Sequence, residues 1–124
     1  MTDHFYITTP IYYVNDKPHI GHAYTTLACD AYARFQRLDG RDVKFLTGTD
    51  EHGQKVEDAA NKAGIAPQTF TDNVSKNFQD LAGMMNFSHD EFIRTTDERH
   101  KQTCQKLWRI LHEKGHIYLG KYAG

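Results

Sequence analysis

The chain has 124 residues, with 15 Lys and Arg against 16 Asp and Glu, 39% apolar residues and 12% aromatic ones. That amounts to one domain or part of one, with enough apolar side chains for a core, so whole-chain disorder is excluded. No apolar run approaches the roughly 20 residues that span a bilayer. Met1-Thr2-Asp3-His4 has no secretory or organellar character, and a formal net charge of −1 lacks the positive excess of a module that binds nucleic acid unaided. The expectation is a soluble, cytoplasmic chain.

In chain order, Phe5-Tyr6-Ile7-Thr8-Thr9 is a β-branched and aromatic run stopped by Pro10, which predicts a buried strand. A loop with turn chemistry at Asn15-Asp16-Lys17-Pro18 follows. From Ile20, the residues Ala23, Tyr24, Leu27, Ala28, Ala31, Tyr32, Phe35 and Leu38 recur at helical spacing. They predict a helix of about five turns with one continuous apolar stripe, Ile20 turned into the core, and Gly40 as the stop. Residues 43–47 predict a second strand, so strand, helix and strand make a parallel βαβ unit with a right-handed crossover.

Two helices follow, one over residues 54–63 with Val56, Ala59, Ala60 and Ala63 inward, the other opening at Pro67 with Phe70, Val74, Phe78 and Leu81 inward. Residues 92–96 predict a third strand. Asp97 then caps a helix with Cys104, Leu107, Trp108 and Leu111 inward, closed by Gly115, and residues 116–119 begin another strand. Cys29 and Cys104 lack CxxC spacing and read as buried thiols. His89, His100, His112 and His116 read as solvated, as does the basic row Arg34, Arg37, Arg41 and Lys44.

Ligands of open parallel sheets sit beyond the carboxyl ends of the strands, and both unusual motifs lie there: His19-Ile20-Gly21-His22 after the first strand and Gly48-Thr49-Asp50-Glu51-His52-Gly53 after the second. Histidines at i and i+3 share a helix face, Gly21 leaves backbone bare for a flat ring, and a helix start favours an anion. These features suit a nucleoside triphosphate. A helix-start histidine pair without a ligand is the plain alternative, and an HxxH zinc pair lacks further ligands at useful spacing.

His19-Ile20-Gly21-His22 is the HIGH signature of class I aminoacyl-tRNA synthetases. Together with Thr9-Pro10-Ile11-Tyr12-Tyr13-Val14-Asn15 and Gly48-Thr49-Asp50-Glu51-His52-Gly53-Gln54-Lys55, it closely resembles the bacterial methionyl-tRNA synthetase family, over the whole chain from Phe5. The resemblance implies the first half of an α/β Rossmann-type fold of the HUP superfamily, a parallel sheet with flanking helices. It also implies a methionine–tRNA ligase that uses methionine, ATP with Mg2+ and tRNA(Met), forming methionyl adenylate. Carried over by position, His19 and His22 are the catalytic, ATP-binding histidines, Gly21 lies against adenine and Asn15 is near the ATP site. Asp50 holds the methionine ammonium, and Ile11 and Tyr13 line the methionine pocket. Tyr13 as a cover on the sheet end and Asp50 as a cap for the helix at Gln54 are the structural competitors, while Glu51 and His52 suit loop-fixing roles.

The family's KMSKS loop, its inserted domain with CxxC zinc pairs and its anticodon-reading bundle have no counterpart in this sequence, and no zinc site is expected in it. The expectation is residues 1–118 as the N-terminal half of the catalytic domain and 119–124 as the start of the inserted domain, with little or no activity alone. Competing readings are a small HxGH nucleotidyltransferase, which suits the length better but not the flanking segments, and a non-catalytic ATP-site segment acting as an interaction module.

Overall fold

A computed structural model describes residues 3–121. The chain forms β1 (His4–Thr8), β2 (Tyr12–Tyr13), α1 (Ile20–Leu38), β3 (Asp42–Asp50), α2 (Gln54–Ala63), α3 (Pro67–Met84), β4 (Glu91–Arg94) and α4 (Glu98–Glu113). All strand pairings are parallel, as the strand–helix–strand order requires. Leu46 pairs with Thr8 on one side and Glu91 on the other, and Thr49 pairs likewise with Tyr12 and Arg94. β1 and β2 are therefore successive pieces of one edge of β3, and β4 forms the other edge.

From Thr8 to Tyr12 the chain advances one residue more than β3 does from Leu46 to Thr49. The extra residue is a bulge at Thr9-Pro10-Ile11, where proline cannot donate to the ladder. Thr9 and Thr47 pin it with a buried hydroxyl pair at 2.7 Å. A strand was expected only up to Thr9, so β2 is new, and β3 outruns its predicted bounds at both ends. The core on the helical face consists of Tyr12, Val14, Val56, Val74 and Phe78, with Phe70 and Phe92 against it.

Several expectations fail, and the first concerns α1. Its buried face is Thr26, Asp30, Ala33 and Gln36, while Ile20, Tyr24, Leu27, Phe35 and Leu38 are exposed. Periodicity locates an apolar stripe but says nothing about what covers it, and here a polar face is held by specific partners instead. Asp30 accepts from the Ser88 amide and hydroxyl at 2.5 and 2.6 Å and from Arg34 at 2.7 Å. Burial pushes its carboxyl up, but these hydrogen bonds and the Arg34 charge outweigh that and hold it below its ordinary range.

The same contacts correct the basic row. Arg37 donates to the Ser88 hydroxyl and carbonyl and to Asp90, so with Arg34 it ties α1 to the segment before β4 and is not merely solvated. Third, α4 buries nothing: Trp108 is 61% exposed and Cys104 is exposed, while Cys29 is only half-buried. Fourth, residues 116–119 have no regular structure, because no strand edge meets them.

His89 and His100 also depart from the solvated reading. His89 lies edge-on to Phe45 and Phe92 with Nδ1 buried, and His100 Nδ1 is 3.2 Å from the Thr95 carbonyl. His112 and His116 are exposed. No described helix is long and apolar enough to cross a membrane.

Candidate functional site

The site lies where β2 and β3 end and α1 begins. After the bulge, Val14 is fully buried and anchors the loop, which brings His19 to the N-cap of α1 in extended conformation. His19 Nδ1 accepts the Gly21 amide at 3.1 Å, and His22 Nδ1 accepts the His19 amide at 3.0 Å. The two imidazoles thus form a reciprocal capping box, with ring centroids 3.8 Å apart.

This cap dictates the tautomer. A neutral imidazole whose Nδ1 accepts must carry its proton on Nε2. Both rings therefore keep an Nε2–H donor free of the helix. Burial first, then repulsion from His19, holds the His22 imidazole below its ordinary pKa, which favours that neutral form. No acidic residue occupies the first turn of α1, so the positive end of the helix dipole is left for an anion. A Cβ on Gly21 would stand 3.0 Å from His19 Cε1 and 3.1 Å from Nδ1. A side chain there would press on the His19 ring and require it to give by a few tenths of an ångström, which is a local reason for glycine beyond access to backbone.

Ile11, Tyr12, Tyr13, Asn15, Asp16, Lys17, His19 and His22 line a cleft of about 480 Å³, within the range of small-ligand sites. It gathers Ile11, Tyr13, Asn15, His19 and His22 from the sequence expectations. Tyr13 is 58% exposed on it, which is unlike a ring that merely covers the sheet end. Gly21 and Asp50 are outside the lining. Asp50 ends β3 directly opposite Tyr13 in register, so the two belong to adjacent strand ends. Its capping alternative fails: the N-cap of α2 is Gly53, without a side-chain cap bond. Among the described residues the Asp50 carboxylate makes no side-chain hydrogen bond or ion pair, unlike its neighbour.

That neighbour, Glu51, is buried and fully engaged. Arg94 donates to it from Nε and Nη2 at 2.7 and 2.9 Å, Thr49 donates at 2.7 Å, and Thr96 donates as well. Arg94 Nη2 also reaches Asp72 on α3 at 2.6 Å. Burial pushes the Glu51 carboxyl up, yet the hydrogen bonds from Arg94, Thr96 and Thr49 and the guanidinium charge hold it below the usual carboxylate range. His52 Nε2 meets the Thr95 carbonyl at 3.1 Å. Both residues fix the loop beyond β3, as expected. Arg94 is the member that sequence reasoning missed, because its partner lies 43 positions away and no local pattern couples them.

Among the described residues no three His, Cys, Asp or Glu side chains gather in a way that could hold a metal ion. The arrangement can present two neutral N–H donors and a helix terminus to an anion, beside a half-buried carboxylate suited to a cation.

Comparison with known proteins finds extensive similarity in sequence and in fold. The family model described as "tRNA synthetases class I (M)" matches residues 5–124. The methionine–tRNA ligase of Rickettsia prowazekii is 60% identical over 124 residues, covering all of this chain and 24% of the relative. That of Mesorhizobium japonicum is 55% identical over 120 residues, 97% of this chain and 23% of the relative. The structure of Mycobacterium tuberculosis methionyl-tRNA synthetase in complex with methionyl-adenylate superposes with a TM-score of 0.96 at 49% identity, over 99% of this chain and 24% of that one. The chain thus spans about a quarter of the length of the proteins it matches.

Proposed function

The chain belongs to the class I tRNA synthetases of the M group, and we propose that it supplies the ATP-facing part of a methionine–tRNA ligase. In the intact protein a methionine carboxylate oxygen attacks the α-phosphorus of ATP, pyrophosphate leaves, and methionyl adenylate forms. The methionyl group then passes to the 3′ end of tRNA(Met). Residues 1–118 are read as the first half of the catalytic domain. Residues 119–124 are read as the start of an inserted domain; of these, 122–124 lie outside the described residues.

The observation that carries this proposal is the histidine pair on the cleft, each ring accepting a backbone amide at Nδ1. Its Nε2–H donors, with the dipole of α1, would stabilise the charge that develops on the phosphate oxygens as pyrophosphate departs. Gly21 would lie against the adenine and Asn15 near the ATP. Ile11 and Tyr13 would contact the methionine thioether, and Asp50 would take its ammonium group. The donor set provides no cage for a divalent ion, so Mg2+ is read as arriving with the triphosphate. Cytoplasmic location fits the substrates.

Methionine-dependent ATP–pyrophosphate exchange by the intact protein tests the reading. His22→Ala is expected to lower the rate by about 10²- to 10³-fold, as when one oxyanion donor is removed. Exchange that survives this change would overturn the site assignment. The isolated 124-residue chain is expected to show little or no exchange.

A further inference from the structure

The proposed chemistry needs the His22 ring held in one orientation, and the structure shows what holds it. Tyr12 meets the imidazole edge-on with centroids at 4.8 Å and 67° between planes, and Phe78 from α3 does so at 5.1 Å and 74°. Tyr12 and Phe78 stack on each other at 5.7 Å and 18°. The imidazole therefore stands against a two-ring wall contributed by a strand and a helix distant in sequence.

Hydrogen bonds fix the Tyr12 side of that wall. Thr26 Oγ1 donates to the His22 carbonyl at 2.9 Å. Having spent its one proton, it must accept from the Tyr12 hydroxyl, 2.9 Å away. Tyr12, Thr26 and Phe78 are all buried. The space behind His22, lined by Tyr12, Thr26, Thr47 and Phe78 among others, is about 10 Å³, room for about one water and too little for an imidazole to swing into.

We propose that Phe78 and the Tyr12–Thr26 hydrogen bond are positioning elements for His22: they hold its Nδ1 on the His19 amide and so aim its Nε2–H into the cleft. This rests on the ligase reading. Phe78 and Thr26 stand behind the ring and are not expected to touch substrate.

The test uses the intact protein carrying Phe78→Leu, Thr26→Val or Thr26→Ser, with active sites counted by the burst of adenylate formation so that misfolded molecules do not enter the rate. Per active site, Phe78→Leu and Thr26→Val are expected to lower kcat of methionine-dependent exchange by about 10- to 100-fold, the cost of a small misplacement. Methionine KM should change by less than about twofold, since the loss is confined to the transition state. Thr26→Ser keeps the hydroxyl and should remain within about threefold of wild type.

Nitrogen-15 NMR of the His22 side chain gives a readout that does not depend on activity. Wild type should show the Nε2–H tautomer, and Phe78→Leu and Thr26→Val should show a mixture of tautomers. An unchanged tautomer in both variants overturns the proposal, whatever the rates do, as does a wild-type kcat in both. If the wild-type protein performs no exchange at all, the ligase reading fails, while the tautomer measurement still decides whether the wall positions His22.

Discussion

His22 does two jobs with one ring: Nδ1 closes the first turn of α1, and the ring lines the cleft, into which Nε2–H is proposed to point. Because its folded-state pKa is depressed, the unfolded chain takes up the proton first as pH falls. The contribution of His22 to stability is thus present above the ordinary histidine value of about 6.5 and is lost as pH drops through the lower folded value. Protonation also removes the acceptor of the His19 amide. His22→Gln, which keeps a capping acceptor at N3 without titrating, is expected to flatten thermal stability between pH 7 and 5 relative to wild type. His22→Ala should lose about 0.5–2 kcal/mol of cap at neutral pH. Melting curves across that pH range check both.

Arg94 offers a second test at this scale. Glu51 has no side-chain exposure and Arg94 has 22%, so Arg94→Ala strands a buried carboxylate and should cost about 3–5 kcal/mol in urea unfolding. Asp72 is half exposed, and Asp72→Asn should cost less than about 1 kcal/mol. Glu51 is depressed below its ordinary value, so its contribution is complete at neutral pH and fades as pH falls through that lower value. The His19–His22 pair was legible because both lie in one short motif, and Asp50 because it ends a strand. The Arg94 clamp and the wall of Tyr12 and Phe78 were not, since each joins residues that only folding brings together.

Among the elements, the local signals for α1, α2 and α3 were strong, and Gly40, Gly64 and Pro67 marked ends that the structure confirms. β3 and β4 depend on a contact that propensity could not express. A Cβ on Gly48 would lie 2.0 Å from the Ile93 carbonyl oxygen, so these strands approach closely only because the residue has no side chain. Gly48→Ala must displace backbone, which does not yield as a flexible side chain would. Its cost is expected to be at or above the upper end of about 1–3 kcal/mol for overpacking, with faster amide exchange in β4 as the specific signature. β2 escaped the sequence reading because a two-residue strand after a proline bulge has no periodicity to detect.

For the molecule as a whole, the informative feature is the apolar surface left in the open. Tyr24 is 74% exposed, Leu38 88% and Trp108 61%, on stripes of α1 and α4 that were expected to face inward. Exposed patches of this kind mark contact surfaces. The isolated 124-residue chain is therefore expected to bind a hydrophobic dye and to associate with rising concentration in sedimentation velocity. Replacing Tyr24, Leu27 and Leu38 by Gln should reduce both without lowering the melting temperature, because none of the three is buried in this chain. A melting temperature that falls by several degrees would place those side chains in the core instead.

By itself the sequence determined the βαβ order, the helix ends and the two motifs at the strand ends, because periodicity, glycine and proline punctuation and residue chemistry are local properties. Only the tertiary structure decided which face of α1 is buried, that Asp30 and Arg37 anchor the segment before β4, and that Tyr12, Thr26 and Phe78 stand behind His22. Those outcomes depend on which distant groups satisfy one another's hydrogen bonds and fill one another's space, and no stretch of chain carries that information alone.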